Sequence, residues 1–371
     1  MEDLSITPEE KGKKKKKKHT ALIIILSVIG TIILALGVFA LVIYLKLAAM
    51  SKNATKVDAS TPLEVPADLI APSMEPIEDP NVIDWENNDD PDDVLDDYDA
   101  NFDSIFHRER INKDVINILI LGNDARDQYD HGRSDTMMLL SFNRVNRTAK
   151  LVSFLRDTWI YIPGRSTWNR LNTAYRFGGV GLAINTINVN FDLDIQYYMR
   201  VDFNSLKEIV DSVGGVDVQL TEREVDYINK RCNSKLTQQG TGMYHLNGEQ
   251  ALRHARNRSI GGDGDWSRTR RQRDIMYGML NRVKEEHSIG ALIGLVSSMM
   301  NHVETNLTAA ECIDLAVDFI FGQPVSLANR AVPFEGTWHY AWEGRMAVIQ
   351  IDIAQNRAKL HQYLYGGNTA D

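Results

Sequence analysis

Seven arginines fall between Arg253 and Arg273, in RHARNRSIGGDGDWSRTRRQR, opposed only by Asp263 and Asp265. A guanidinium is planar, stays charged at physiological pH and grips phosphate oxygens two at a time, so its clustering points to an anion site. Gly261, Gly262 and Gly264 lie among them and would let the backbone approach a phosphate-rich ligand closely. The competing reading is a solvated basic face. Charged residues gather in three more places: Asp124 and Arg126 follow the apolar run VINILIL, Arg133 and Asp135 precede TMMLLSF, and Arg156 with Asp157 follow KLVSFL. In α/β folds ligands sit in crevices at strand ends, so these groups can form one site built from several loops. Charged surface loops would read the same way.

The elements that must carry these groups show in the hydrophobic pattern. Val115–Leu121, Thr136–Phe142 and Lys150–Leu155 are short, nearly continuous apolar runs, as in strands covered on both faces. Ile195–Val201 and Val216–Leu220 are further strands. They flank Asn204–Val213, where Leu206, Ile209, Val210 and Val213 keep helical spacing until Gly214 and Gly215 stop it. Asp265–Val283 is predicted as a helix with Arg268, Arg271, Gln272, Ile275 and Met279 on one stripe. That stripe begins polar and turns apolar, which suits a helix whose N-terminus borders a pocket and offers free N–H groups to an anion. Arg270 and Arg273 fall off the stripe and are assigned to a solvated face. The predicted fold class is α/β, a layered α-β-α domain with a mixed central sheet. Near the C-terminus, EGTWHYAWEGRMAVIQIDI suggests a hairpin or an added strand.

The net charge of -9 is misleading, because residues 75 to 103 hold thirteen acids and no Lys or Arg. The remainder is near neutral, which argues against a nucleic-acid partner. Thr20–Leu45 is an uncharged apolar run of 26 residues, long enough as a helix to cross a hydrocarbon core of about 30 Å. The lysine run before it places the N-terminus in the cytoplasm by the positive-inside rule, so the anchor is expected to remain uncleaved with everything beyond it outside. The expected organisation is a cytoplasmic basic tail (1–19), one transmembrane helix (20–45), an extracellular acidic disordered linker (46–112), a catalytic domain (113–285) and a C-terminal part packed on it (286–371). Cys232 and Cys312 match no zinc motif, and a disulfide or two free thiols both stay open.

Taken in order from about Asn117 to Gln272, the segments NILILGNDAR, RSDTMMLLSFN, LRD, LNTAYRFGG, VDF, VDSVGGVDV, LNGEQAL, HARNR and GDWSRTRRQ resemble the LytR-CpsA-Psr family. These are bacterial enzymes that transfer polymers from polyprenyl-phosphate carriers to the cell wall. The resemblance implies that Asp124 and Asp135 hold Mg²⁺ and that Arg133, Arg156, Arg256 and Arg258 contact the pyrophosphate. Asp265, Arg268 and Gln272 match the family's remaining pocket positions. The implied activity is a membrane-anchored, Mg²⁺-dependent glycopolymer phosphotransfer from a polyprenyl-pyrophosphate-linked glycan donor to a peptidoglycan hydroxyl, on the outer face of a bacterial plasma membrane. The polymer could be teichoic acid, capsule or another wall glycan. Arg133, Arg156, Asp157 and Asp265 form the expected catalytic set. Asp157 or Asp265 would take the acceptor's proton, or either could merely orient an arginine. The alternatives are a polyprenyl-phosphate-binding envelope regulator and a lipid pyrophosphatase. Leu155 stands where the family commonly has proline, a change expected to soften the placement of Arg156. The lipid needs an apolar groove, and Phe177, Val180, Leu182, Ile184 and Ile187 are candidates either for lining it or for ordinary core.

Overall fold

Val115–Asn123 (β1), Ser134–Asn143 (β2) and Thr148–Phe154 (β3) form where apolar residues run almost unbroken, and β2 pairs antiparallel with both neighbours. In the computed structural model the described residues are 109–123, 134–163, 165, 167–237, 240–261, 263–285, 289–320 and 325–366, with only the backbone described at 123 and 289–295. The expected tail, the apolar run 20–45, the linker up to residue 108, and Asp124, Arg126 and Arg133 lie outside these residues. Among the described residues no helix is long and apolar enough to cross a membrane.

A small ribbon, Trp159–Ile162 (β4) and Thr167–Arg170 (β5), leads into the helix Leu171–Phe191 (α1). Then come Tyr197–Val201 (β6), Phe203–Ser212 (α2), Val216–Leu220 (β7), Glu222–Arg231 (α3), Gly242–Leu246 (β8) and Gly248–Ala255 (α4). Asp265–Glu285 (α5), Ile289–His302 (α6), Glu304–Thr305 (β9), Ala309–Ile320 (α7) and Ser326–Val332 (β10) follow, and Trp338–Glu343 (β11), Met346–Ile351 (β12) and Ile353–Tyr365 (α8) complete the chain.

The central sheet is mixed, in the order β10-β3-β2-β1-β6-β9. Successive side chains of a strand point to opposite faces, and both faces here are apolar. Leu119, Leu121, Leu139, Val152 and Phe154 join Tyr175, Ile184 and Ile187 of α1 and Leu360 and Leu364 of α8 in one core. On the other face, Ile120, Met138 and Leu151 meet Met276 and Leu280 of α5, while Ile118 meets Leu315 of α7. The expected layering of helices on both sides of a mixed sheet is therefore present. No break follows residue 285 in this sheet, because β9 and β10 are its two edges.

β7 forms as a strand but stands apart from the central sheet, paired with β8 over its own core with Val225, Ile228 and Ala251. The chain is turned out of plane by Gly214 and Gly215, at φ of +77° and +91°, where a side chain on Gly215 would collide with His245. Phe177, Val180, Leu182, Ile184 and Ile187 are ordinary core of α1, buried against the sheet or against Ile162. None of them lines either of the two cavities beside Asp135 and Arg256. Cys232 and Cys312 are both free thiols.

Candidate functional site

Because β2 runs antiparallel to β1 and β3, the end of β1, the start of β2 and the end of β3 share one edge of the sheet. That edge carries Gly122, Asp135, and the Arg156–Asp157 turn. The N-terminus of α5 and the loop after α4 arrive at the same place. Arg156 donates through Nη1 to Asp135 Oδ1 at 2.6 Å, and Arg258 donates through Nη2 to Asp135 Oδ2 at 2.7 Å. Arg268, only 2% exposed, lies with Nη1 3.4 Å from Asp135 Oδ2, donates through Nη2 to Asp135 O at 3.1 Å and forms an ion pair with Asp265, one turn before it on the helix. Arg156 Nε sits 3.5 Å from both Asp157 Oδ2 and Asp265 Oδ1. One network thus joins Asp135, Arg156, Asp157, Arg258, Asp265 and Arg268.

Arg256 stands differently. Its guanidinium lies over the Phe203 ring, 4.0 Å from the centroid, and makes no ion pair with a described acid. It is thus stacked on an aromatic face, with its charge not neutralised by any described acid. A cavity of about 280 Å³ is lined by Gly122, Asp135, Thr136, Phe203, Arg256, Arg258, Arg268 and Gln272, so three guanidinium groups face one carboxylate. Its net charge is positive, as phosphate binding requires. Phe203 belongs to VDF, and nothing in the sequence marked it as a platform.

Burial alone would raise the Asp135 carboxyl, but Arg268, Arg156 and Arg258 outweigh it and hold the group below the usual carboxylate range. Asp265 goes the other way. Its burial raises it, and the arginines offset that only in part, with Asp157 and Asp135 adding to the rise. Its Oδ2 is buried with no hydrogen-bond partner among the described residues. Of the two acids expected to accept a proton, Asp265 is thus the one with a buried oxygen left open and a carboxyl raised by its burial.

A second cavity, of about 270 Å³, opens from the first and shares Gly122, Thr136, Phe203, Arg256 and Gln272 with it. Its walls are almost wholly apolar: Ile118, Ile120, Met138 and Leu140 from the sheet, and Met276, Met279 and Leu315 among the helical residues. It lies on the sheet face opposite α1, which is why the α1 residues were the wrong place to look for a groove. Gly122 sits at the junction, and a Cβ there would press on Thr136 at 2.8 Å.

The sequence model of the LytR_cpsA_psr family matches residues 86–360. The chain belongs to the LytR-CpsA-Psr family. Among its relatives, the polyisoprenyl-teichoic acid–peptidoglycan teichoic acid transferase TagU of Bacillus anthracis is 34% identical over 216 residues, 57% of this chain and 67% of that protein. The structure of TagT bound to LIIa-WTA matches with a TM-score of 0.57 at 26% identity, covering 69% of this chain and 93% of that one. The family protein YwtF (TagT) with bound octaprenyl pyrophosphate lipid shares the fold, at a TM-score of 0.53, 23% identity and coverage of 69% and 94%.

Two arginines of this LytR-CpsA-Psr chain do not lie where helical spacing put them. Arg271 turns away from the pocket and is 1% exposed. It donates to Glu224 Oε1 at 2.6 Å and Asn257 O at 2.9 Å, and also reaches Ile260 O. Those carbonyls belong to the loop that presents Arg256 and Arg258, so Arg271 braces the loop from behind. Arg273, assigned to the solvated face, is 8% exposed with Nε 3.3 Å from Asn329 Oδ1, and burial pulls it down to about 10. Only Arg270 of that pair is exposed. Glu224 was missed too. The spacing of Thr221 and Glu224 signals a capping box, which the structure contains, but not that Glu224 faces a distant buried arginine.

His254 of the HARNR segment is 1% exposed, and neither ring nitrogen has a hydrogen-bond partner among the described residues. Burial, despite Glu224 beside it, lowers it from 6.5 to about 4. The unfolded chain then binds the extra proton first, so this contribution to stability is present above about pH 6.5 and is lost as pH falls toward 4. We expect the loss to reach on the order of 2–3 kcal/mol. Denaturant titrations at stepped pH check this, and His254→Gln should flatten the slope between those limits.

Leu155, at the position where the family commonly has proline, does not leave the Arg156 turn loose. Its side chain is fully buried, its N–H donates to Val332 O at 3.0 Å, and its carbonyl accepts from the Thr158 hydroxyl at 2.7 Å. A proline would lose the donor and part of the packing. Leu155→Pro is therefore expected to cost about 1–3 kcal/mol, read as a lower urea midpoint.

Proposed function

We propose that this chain is a phosphotransferase that moves a glycopolymer from a polyprenyl-pyrophosphate carrier to a peptidoglycan hydroxyl. The observation that carries the reading is the pair of joined cavities, one apolar and one rich in arginine. Together they have the form of an amphiphile with a hydrocarbon tail and a multiply charged phosphate head. The transferase name of the Bacillus anthracis relative and the LIIa-WTA bound by TagT support the same substrate class.

In this reading the apolar walls hold the polyprenyl chain and the junction at Gly122 places the pyrophosphate against Arg256, Arg258 and Arg268. The acceptor oxygen bonds to the sugar-side phosphorus. The bond between that phosphorus and the bridging oxygen breaks, and polyprenyl monophosphate departs with the electron pair. Arg156 and Arg268, already fixed by acids, stabilise the charge on that leaving group without reorganising. Asp265, with its open Oδ2 and raised basicity, takes the acceptor's proton, and Asp157 holds Arg156 in place. Arg133 would add to the anion grip.

Mg²⁺ is part of the proposal. The donor set fits a hard cation, since Asp135 offers only oxygen and lines the arginine-rich cavity. Among the described residues no three metal-binding side chains converge, so Asp135 would be joined by Asp124, phosphate oxygens and water. When bound, the ion would neutralise phosphate charge beside the arginines. Anchoring by residues 20–45 at the outer face of a bacterial plasma membrane would confine the enzyme to its lipid-borne donor.

The test follows polyprenyl monophosphate release by the full chain in phospholipid nanodiscs. Release should need a peptidoglycan oligomer, fall on chelation and return with Mg²⁺. Arg256→Ala should weaken pyrophosphate-lipid binding about tenfold or more. Release that proceeds equally without acceptor would indicate a pyrophosphatase, and tight binding without release would indicate a regulator.

A further inference from the structure

An aromatic ladder climbs from the edge of the site onto the C-terminal hairpin. Trp266 directly follows Asp265, and its ring lies 5.0 Å from that of Trp338 at an interplanar angle of 34°. Trp338 in turn meets Tyr340 edge-to-face at 5.0 Å. Positions 338, 340 and 342 alternate along β11 and so share one face of the strand. Tyr340 is 64% exposed and Trp342 is 73% exposed, and they are two of the few large apolar side chains in the described part of the protein that face water.

The hairpin is tied to the catalytic turn. Ile349 N donates to Asp157 O at 2.9 Å, and Arg170 spans from Asp157, at 3.6 Å, to Ala347 O, at 2.8 Å. A molecule lying on the ladder would therefore be registered against Asp157 and Asp265. We propose that this face binds the glycan strand of the acceptor, a chain of N-acetylated hexosamines, and delivers one of its hydroxyls to the site. This rests on the transferase reading and adds the acceptor's location to it.

Two observations favour the acceptor over the lipid-linked donor. The donor's tail is assigned to the cavity walled by Ile118, Ile120, Met138 and Leu140, whereas Trp266 and Trp338 pack on the core of Leu119, Leu121, Met137 and Leu139. In strands these alternating sets face opposite sides of the sheet, so the ladder reaches the reacting centre from the side that the lipid does not use. The hairpin is also nearly neutral, with Glu343 and Arg345 as its only charged residues between positions 338 and 351. It suits the apolar C–H faces of pyranose rings, which meet the negative faces of aromatic rings, better than an anionic polymer.

The experiment measures binding of a β-1,4-linked N-acetylhexosamine tetrasaccharide to the full chain in nanodiscs by calorimetry, with Tyr340→Ala/Trp342→Ala as the variant. Both side chains are exposed, so the fold should persist, and an unchanged melting temperature checks that. Tetrasaccharide affinity should fall about tenfold or more in the variant. Affinity for polyprenyl pyrophosphate should not change, and in turnover the acceptor KM should rise while the donor KM holds. Unchanged tetrasaccharide affinity overturns the proposal, as does a loss confined to the lipid-linked donor. A change in oligomeric state with saccharide binding intact also overturns it, since the face would then be a protein contact. Should the chain show no transfer at all, a drop in saccharide affinity would still support the ladder while the transferase reading failed.

Discussion

Asp135→Asn is expected to reduce transfer by about a hundredfold to a thousandfold while leaving pyrophosphate binding intact or tighter. Asp135 is the carboxylate on which Arg156, Arg258 and Arg268 converge. Removing its charge releases all three guanidinium groups toward the ligand, so an anion should be held at least as well. What is lost is their alignment and the oxygen ligand proposed for Mg²⁺. Arg268 keeps Asp265 but, at 2% exposure, is poorly hydrated, so the free variant should also be less stable by about 2 kcal/mol. Added inorganic pyrophosphate replaces part of the missing negative charge and should raise the melting temperature more in the variant than in the parent. A smaller rise in the variant would show that Asp135 does not organise an anion site. If Asp135→Asn keeps parental turnover, neither metal binding nor alignment can be its role.

The second large effect is on stability. Arg271→Met is expected to destabilise the domain by about 3–5 kcal/mol, because it strands Glu224 in the interior and frees the carbonyls of Asn257 and Ile260. Glu224 is held below the usual carboxylate range against its own burial, through bonds from Thr221 and Arg271. The combined change Glu224→Gln with Arg271→Met should recover part of that loss, since no lone charge remains buried. Pyrophosphate affinity should fall in Arg271→Met even where the protein is still folded, because the loop carrying Arg256 and Arg258 loses its brace. Chemical denaturation and calorimetry on both variants check the pair.

The strands β1, β2 and β3 and the helix α5 were readable because their patterns are long and consistent, and of the charged residues expected at strand ends, Asp135, Arg156 and Asp157 do meet at one end of the sheet. Other features were hidden by their dependence on distant partners. Arg268 and Arg271 lie on one helical stripe by spacing, yet one faces Asp135 and the other faces Glu224, 47 residues away in the chain. Arg273 looked solvated because nothing nearby in sequence announces Asn329. The apolar residues of α1 were candidates for groove lining or for core, but a groove is defined by what fails to pack, and it is the far face of the sheet that leaves such space. β7 was visible as a strand, whereas its pairing with β8 depends on a glycine turn. The hairpin β11–β12 was expected, but its contact with Asp157 was not.

The most direct measurement of the proposed transfer is the mass of its products. The full chain in nanodiscs is incubated with a polyprenyl-pyrophosphoryl saccharide, Mg²⁺ and a peptidoglycan oligomer, in water enriched in heavy oxygen. The expected result is a phosphodiester-linked saccharide–peptidoglycan adduct that carries no heavy oxygen, together with an equal amount of polyprenyl monophosphate. The contradicting result is a free sugar phosphate that has taken up heavy oxygen, with the peptidoglycan oligomer unchanged.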